Sequence, residues 1–237
     1  GGTRRMGVKK SSADVFVMMT QDAMPADREL LAELLKALEQ DENIAAAYAR
    51  QLPNAECSFV ERYTRAFNYP DRSVVKTKKD MDQYGIKTFF CSNVCAAYKK
   101  DIYQKQGGFV RRTIFNEDMI YAGGLIQAGY GIAYAAEAKV IHSHNYNCMQ
   151  QFHRNFDLGV SQAEHPEIFE GVPSEGEGMR LVKKTLSHLV RSGKIWLIPG
   201  FVMQCAGKYA GYLAGKNFRR LPKKFVLWCT MSPNYWK

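Results

Sequence analysis

The first strongly apolar segment of the chain is VFVMM at residues 15–19, which contains no polar residue. An apolar run without alternation is typical of a strand that is buried on both faces, as in a parallel sheet. Thr20, Gln21 and Asp22 follow this run, and Pro25 comes shortly after them. Because proline is favoured at the first position of a helix, the pattern predicts a strand, a polar loop and then a helix that begins near Pro25.

The pattern farther along the chain predicts an α/β domain. Leucines at positions 30, 31, 34, 35 and 38 lie on one face of a helix, and the run at 44–49 predicts a second strand, which completes a strand–helix–strand unit. The remaining predicted elements are a helix around 58–66, two apolar runs separated by a polar break between 87 and 98, a helix from 116 to about 128, short strands at 132–134 and 138–141, and a helix from about 146 to 163.

The last quarter of the chain differs from the rest in charge. Residues 178–237 contain twelve Lys and Arg and no Asp or Glu, whereas residues 1–177 contain 21 basic and 23 acidic residues. The formal net charge of +10 is therefore a property of the C-terminal segment. Such a segment suits two kinds of partner, nucleic acid or an anionic membrane surface.

The C-terminal segment also has its own hydrophobic pattern. A Pro-, Gly- and acid-rich stretch at 166–178 predicts a linker, after which we expect a basic helix at 179–191 and an apolar helix at 195–214. The apolar helix contains Pro199 and Lys208 and is interleaved with aromatic residues, so it suits the bilayer interface better than a membrane span. A small helical subdomain packed on the main core is the alternative.

Cysteine usage and the N-terminus add two expectations. The six cysteines form no C-x-x-C pair and no zinc-type spacing, and no signal peptide is recognisable, which predicts free thiols in a reducing cytosol. The chain opens with GGTRR and has no initiator Met, so we expect a domain that is cut off at its N-terminus.

Three polar clusters that follow apolar runs are the candidates for chemistry: Asp22, then Glu117 and Asp118, then His142 and His144. A carboxylate with imidazoles suits Mn²⁺ or Mg²⁺, and a carboxylate at a helix start can act as a general base. Each cluster alone also has a structural explanation, as a helix cap, as first-turn acids or as core histidines. Their joint occurrence at strand and helix ends predicts one ligand site.

Eight short motifs give the chain a family resemblance. They are GGTRRMG at 1–7, VMMTQDAMP at 17–25, RQLP at 50–53, ERYTRAFNYP at 61–70, SNVCAAY at 92–98, GGF at 107–109, NED at 116–118 and HSH at 142–144. With these motifs in this order, the chain resembles the family 2 glycosyltransferases of the GT-A fold, in particular the bacterial rhamnosyltransferase-like branch. The resemblance implies a mixed, mostly parallel sheet flanked by helices in a catalytic domain over residues 1–165, with N-terminal strands preceding residue 1.

The resemblance also implies roles for individual residues. Thr20, Gln21 and Asp22 occupy the D-x-D position, where Thr20 replaces the first acid, so that metal binding rests on Asp22. Asp118 matches the catalytic base, with Glu117 beside it. Either His142 or His144 matches the histidine that helps to hold metal and diphosphate.

Three further residues are candidates for contacts with the donor through the same resemblance. Arg5 lies in the segment before the metal strand, Asn93 lies in the S-N motif, and Arg154 lies on the helix after the histidines. For Arg154 an exposed helix face is an equally good explanation.

The implied activity is inverting transfer of rhamnose from dTDP-rhamnose, with Mn²⁺ or Mg²⁺, to a surface polysaccharide or a lipid-linked oligosaccharide. The basic helical region at 179–237 then predicts an enzyme of the cytoplasm that associates peripherally with the inner face of the membrane, with no nucleic acid as partner. Two alternatives remain open: a non-catalytic scaffold derived from such a transferase, and a nucleic-acid-binding protein that acts through the basic tail.

Overall fold

A computed structural model describes residues 2–172 and 175–237 of the chain. It divides into two compact units. The sheet unit comprises Gly1–Arg112 and Glu117–His144, and the helical unit comprises Thr113–Asn116 and Asn145–Lys237. The helix at 148–164 packs with the C-terminal helices and is grouped with the helical unit, whereas we expected the catalytic domain to extend to residue 165.

The sheet unit contains six strands and six α-helices among its described residues. In chain order they are α1 Gly2–Lys10, β1 Val15–Met19, β2 Met24–Pro25, α2 Leu30–Leu38, β3 Ile44–Leu52, α3 Phe59–Asn68, β4 Val74–Lys76, α4 Met81–Tyr84, β5 Cys95–Lys99, α5 Lys100–Lys105, α6 Glu117–Gln127 and β6 Gly131–Ile141. The strands form one sheet in the order β1-β5-β3-β6-β2, and β4 pairs with β6.

The expected α/β class with a mixed sheet flanked by helices is confirmed, whereas the expectation of a mostly parallel sheet is wrong for the described strands. Only β3 and β6 pair in parallel, and the other four pairs are antiparallel. Since β1 is antiparallel to β5, and β5 is antiparallel to β3, strands β1, β3 and β6 all run in the same direction. Their carboxyl ends therefore lie at one edge of the sheet.

The opening strand differs from its prediction. Among the described strands, β1 lies at one edge of the sheet and pairs only with β5. Phe16, on one face of β1, is buried, whereas Val17 and Met19, on the other face, are exposed. Pro25 does not begin a helix but belongs to β2, where it lies opposite Val140. A proline fits a two-residue edge strand because the missing N–H takes no ladder hydrogen bond away. Helix α2 begins only at Leu30.

Two other predicted elements also differ. The apolar run at the start of the 87–98 segment is a 3₁₀ helix, Gly85–Phe89, rather than a strand. The two short strands expected around 132–141 form the single strand β6, whose pairing with β3 shifts register between Ala49 and Arg50. The helices predicted around 58–66 and from 116 are confirmed as α3 and α6.

The core of the sheet unit lies between α2 and the central strands. Leu30, Leu34 and Leu38 of α2 are buried against small strand residues that include Ala47 and Ala133. The leucine spacing places these side chains on one helix face, and alanines in the strands let the helix approach closely. This packing fixes β3 and β6, the two strands whose carboxyl ends carry candidate residues.

The helical unit contains the remaining helices. They are α7 Cys148–Glu164, α8 Pro166–Phe169, α9 Glu175–Arg191, α10 Ile198–Lys216 and α11 Lys223–Cys229. Helix α10 packs closely on α7 at Gly207, Gly211 and Gly215, where an added Cβ would collide with the α7 backbone or with Cys148. Across the part of the chain that the structure describes, no helix is both long enough and apolar enough to cross a membrane.

The segment expected to be a linker, residues 166–178, is partly helical. Pro166 begins α8, in which Ile168 and Phe169 are buried, and α9 already begins at Glu175. The reason is the apolar Ile168–Phe169 pair, which gains from burial despite the polar composition around it. Two positions of the expected linker, 173 and 174, lie outside the described residues. All six cysteines are free, as the sequence predicted.

Candidate active site

Loops from four strands meet at one edge of the sheet unit. Asp22 follows β1, Gln51 lies near the end of β3, and His142 follows β6. Asn93 precedes β5, which runs in the opposite direction and therefore begins at the same edge. Two backbone hydrogen bonds tie these loops together, from Thr20 N to Val94 O at 3.1 Å and from His142 N to Leu52 O at 2.9 Å.

Asp22, His142 and His144 form a cluster of potential metal ligands. Asp22 Oδ2 lies 3.3 Å from His142 Nε2 and 3.3 Å from His144 Nε2. One ligand atom from each residue lies within 4.8 Å of the others, and the two imidazole rings meet edge to face. One carboxylate and two imidazole nitrogens suit a divalent transition metal such as Mn²⁺. The structure thus brings both candidate histidines to Asp22, and the residues fit the expected ion.

The electrostatics of the cluster favour the forms that bind metal. The nearby hydroxyl of Thr20 lowers the pKa of Asp22, and the two imidazoles lower it further against partial desolvation. Burial lowers the pKa of His142 below its ordinary value, although Asp22 opposes this effect. At neutral pH the cluster therefore offers an ionised carboxylate and a neutral His142 imidazole, the forms that coordinate a cation. Gln21, between Thr20 and Asp22, is exposed.

Asp118 lies in the first turn of α6 and is oriented by two backbone amides. Asn93 N donates to Asp118 Oδ2 at 2.8 Å, and Met119 N donates to Oδ1 at 2.9 Å. Desolvation raises the pKa of Asp118 above its ordinary value, while these amides and Arg4 limit the increase. Glu117 is buried and forms an ion pair with Arg4. The carboxylate of Asp118 is thus held in one orientation, as a general base requires.

The side-chain amide of Asn93 is held at its oxygen, while its NH₂ group has no hydrogen-bond partner among the described residues. Its Oδ1 accepts from the Tyr98 hydroxyl at 2.8 Å, which fixes the side chain. Its Nδ2 is buried and finds no hydrogen-bond partner among the described residues. A buried amide that lacks a partner costs free energy, so a donor at this position suits a ligand oxygen.

The structure places the two candidate arginines in structural contacts. Arg5 Nη1 donates to the carbonyl oxygens of Gly107 at 2.6 Å and Phe109 at 2.5 Å. The guanidinium of Arg154, in the helical unit, lies 4.6 Å from the centroid of the Phe115 ring and 5.8 Å from that of Tyr146. The diphosphate contacts expected of Arg5 and Arg154 stay predictions.

Sequence reasoning missed two residues that contact the candidate site. Arg4, rather than its neighbour Arg5, pairs with Glu117. Gln51 contacts His142, with 3.1 Å between Oε1 and Nδ1. The signal for Gln51 was present in the RQLP motif, where the polar pair Arg50 and Gln51 interrupts an otherwise apolar strand.

Comparison with known proteins identifies the family. A model of glycosyl transferase family 2 matches residues 1–107. The O-antigen chain rhamnosyltransferase RfbN of Salmonella typhimurium is 41% identical over 240 residues, which cover 100% of this chain and 75% of RfbN. The O-antigen chain rhamnosyltransferase WbaN of Salmonella anatum is 40% identical over 240 residues, with the same coverage of 100% and 75%.

A solved structure with similarity to this chain is the mannosyltransferase PcManGT from Pyrobaculum calidifontis in complex with GDP-Man and Mn²⁺, with a TM-score of 0.48 and 16% identity over 98% of this chain. The chain spans 62% of that protein, which is less than two thirds of its length. The identity to the two Salmonella proteins along the whole chain decides the assignment. The chain belongs to the family 2 glycosyltransferases, as a rhamnosyltransferase-like member.

Proposed function

We propose that this glycosyltransferase moves rhamnose from dTDP-rhamnose to a hydroxyl of a surface polysaccharide or of a lipid-linked oligosaccharide, with inversion at the anomeric carbon. The names of the two Salmonella relatives, O-antigen chain rhamnosyltransferases, support the sugar and the class of acceptor. The observation that carries the proposal is the convergence of Asp22, His142 and His144 within 4.8 Å.

Asp22, His142 and His144 would hold Mn²⁺ or Mg²⁺ in this proposal. When bound, the ion would supply positive charge that stabilises the diphosphate leaving group of the donor. Thr20 supports this role because its hydroxyl keeps the pKa of Asp22 low and so keeps the carboxylate ionised. Gln21, Arg5 and Arg154 are candidates for contacts with the donor through the resemblance to the family.

Asp118 acts as the general base that removes the proton from the acceptor hydroxyl. Its raised pKa supports this role, because a base is most effective when its pKa approaches the operating pH. Glu117, through its ion pair with Arg4, holds the start of α6 and therefore the backbone that carries Asp118. Asn93 Nδ2, the donor without a protein partner, binds a hydroxyl of the sugar or of the acceptor.

The helical unit associates with the anionic inner face of the membrane. On α10 the apolar side chains of Val202, Tyr209 and Leu213 are exposed at the spacing of one helix face. Phe225 and Trp228 of α11 are exposed as well and stack on each other, with 5.5 Å between ring centroids. Exposed apolar residues beside many Lys and Arg are typical of helices that lie in the bilayer interface. A lipid-linked acceptor would be available at that surface.

The proposal is tested by incubating the protein with dTDP-rhamnose, Mn²⁺ and a lipid-linked oligosaccharide acceptor and following the product by NMR. We expect a rhamnosyl product whose anomeric configuration is opposite to that of the donor, and no product from Asp22→Ala. Glu39→Gln, on an exposed position of the same unit, serves as the matched control and should retain activity. Product with retained configuration would contradict inversion, and equal activity of Asp22→Ala would contradict the assigned site.

A further inference from the structure

A buried amide lies directly behind His142, on the side away from Asp22. Gln51 is 3% exposed, and its Oε1 lies 3.1 Å from His142 Nδ1. The same oxygen accepts a hydrogen bond from Arg65 Nη1 at 2.5 Å. The other end of the amide, Nε2, donates to Ser92 Oγ at 3.0 Å. All three partners of Gln51 lie in the sheet unit, on different segments of the chain.

These contacts determine which nitrogen of His142 carries the proton. A guanidinium only donates hydrogen bonds, so the amide atom that faces Arg65 must be the oxygen. An amide oxygen only accepts, so His142 Nδ1 must be the donor to Gln51. A neutral imidazole carries one proton, and its Nε2 is then an acceptor with a free lone pair. His142 Nε2 lies 3.3 Å from Asp22 Oδ2.

Arg65 is itself held in place. Its Nη2 donates to Glu61 Oε1 at 2.5 Å, one helical turn earlier on α3, and its guanidinium lies 5.7 Å from the centroid of the Tyr69 ring. Thr64 Oγ1 donates to Glu61 Oε2 at 3.2 Å and steadies that carboxylate. A continuous hydrogen-bonded chain thus runs from Glu61 through Arg65 and Gln51 to His142.

We infer that Gln51 and Arg65 are positioning residues that keep the proton of His142 on Nδ1 and so present Nε2 as a metal ligand. In this arrangement Asp22 Oδ2 and His142 Nε2 are two acceptors that face each other, a pairing that is favourable when a cation lies between them. Partners of ligating histidines that fix the tautomer typically contribute 10- to 100-fold to metal affinity. The inference rests on the proposed function only in assuming that a divalent cation occupies the site formed by Asp22, His142 and His144.

The first measurement uses the metal-free protein at pH 8 and needs no substrate. Long-range ¹H–¹⁵N correlation spectra report which imidazole nitrogen is protonated, and the His142 signals are assigned by their loss in His142→Gln. We expect the Nδ1–H tautomer in the wild type and in Gln51→Glu, which keeps an acceptor oxygen for both Arg65 and His142. We expect Gln51→Leu, which has no acceptor, to lose that tautomer.

The second measurement is Mn²⁺ affinity, followed by EPR of the free ion. Gln51→Leu should bind Mn²⁺ about 10- to 100-fold more weakly than the wild type, and Gln51→Glu should stay well under the tenfold loss. Arg65→Met should also weaken Mn²⁺ binding. The double variant Gln51→Leu/Arg65→Met should bind Mn²⁺ only slightly more weakly than Gln51→Leu, because both residues act through one chain of contacts. Arg62→Met is the matched control on the same helix, because Arg62 donates to the carbonyls of Asn54 and Ala55 instead.

The inference is overturned if Gln51→Leu keeps both the Nδ1–H tautomer and wild-type Mn²⁺ affinity, or if Gln51→Glu behaves like Gln51→Leu. If thermal unfolding shows that Gln51→Leu does not fold, the Mn²⁺ affinity of Arg65→Met is used instead. An affinity of Arg65→Met equal to that of the control Arg62→Met overturns the inference. A wild type that binds no Mn²⁺ but carries an Nδ1–H tautomer that Gln51→Leu loses would contradict the proposed metal site and leave the positioning role supported.

Discussion

The sheet unit and the helical unit specify their structures in different ways. In the sheet unit, polar side chains such as Gln51 and Asp118 are held by several hydrogen bonds at strand and helix ends. In the helical unit, α7 and α10 come together through glycines, and the solvent side of α10 is apolar. The sheet unit thus orients individual polar side chains through hydrogen bonds. The helical unit instead combines a close contact between two helix backbones with an exposed apolar face.

The largest effect that we predict is on catalysis in the sheet unit. Asp118→Asn keeps the size of the side chain but cannot accept a proton, so the rate of rhamnosyl transfer should fall by about 10²- to 10⁴-fold. Thermal unfolding should change little, since the amide oxygen can still accept from one of the two backbone amides. Initial rates at saturating donor measure the effect. A wild-type rate for Asp118→Asn would contradict the role of Asp118 as the base and would indicate that another group accepts the proton.

The stability of the sheet unit should depend on pH through one buried lysine. Burial lowers the pKa of Lys76 from its ordinary value of 10.5 to about 7, while its Nζ donates to the carbonyls of Lys87 and Phe90. Between about pH 7 and 10 the unfolded chain therefore binds a proton that the folded chain lacks, and rising pH should favour the folded state. The contribution is about 1.4 kcal/mol per pH unit.

Urea unfolding at pH 7, 8 and 9 measures this effect as the difference between the wild type and Lys76→Met. The variant has no group that titrates at this position. Its free energy of unfolding relative to that of the wild type should therefore be highest at pH 7 and should fall as the pH rises to 9. Parallel curves for the two proteins would contradict the assignment of a neutral, buried Lys76.

In the helical unit the decisive contact should be the glycine face of α10. Gly211→Ala adds a methyl group against the carbonyl of Phe152 on α7 and should lower the free energy of unfolding by about 1–3 kcal/mol. Gly200→Ala lies on the same helix with open space around the new methyl group, and should be neutral or stabilising by up to about 1 kcal/mol. Urea denaturation compares the two. Equal effects of both substitutions would show that the close contact does not limit stability.

The smallest effect should appear in membrane binding. Removing one charge from the basic segment, as in Lys223→Ala, should weaken binding to anionic vesicles by about 1 kcal/mol, and Lys36→Ala in the sheet unit should not. Flotation with vesicles that contain phosphatidylglycerol measures this difference. Salt-sensitive binding to duplex DNA without binding to vesicles would instead favour the nucleic-acid alternative.

The residues of the candidate site were proposed from local signals. Asp22 and His142 each follow an apolar run, and Asp118 begins a helix, so short motifs sufficed to propose them as candidates. The edge position of β1 was not predictable in this way, because five apolar residues look alike whether a strand has one neighbour or two. The role of Gln51 depends on partners 14, 41 and 91 residues away, which no local pattern reveals.

The packing partner of α7 was not predictable for a related reason. Helix α7 follows the histidines directly and was therefore assigned with them, but its partner is α10, more than 30 residues farther along the chain. The glycines at 207, 211 and 215 recur every four residues and mark one helix face. This spacing was readable in the sequence, but the identity of the opposing helix was not.

The most direct test of the central claim is the metal dependence of transfer by the wild type and by Asp22→Asn. Release of dTDP from dTDP-rhamnose in the presence of acceptor is followed after treatment with EDTA and again after addition of Mn²⁺. We predict that EDTA abolishes transfer by the wild type, that Mn²⁺ restores it, and that Asp22→Asn is not restored at the same Mn²⁺ concentration. Full transfer in EDTA, or full restoration of Asp22→Asn, would contradict a metal held by Asp22, His142 and His144.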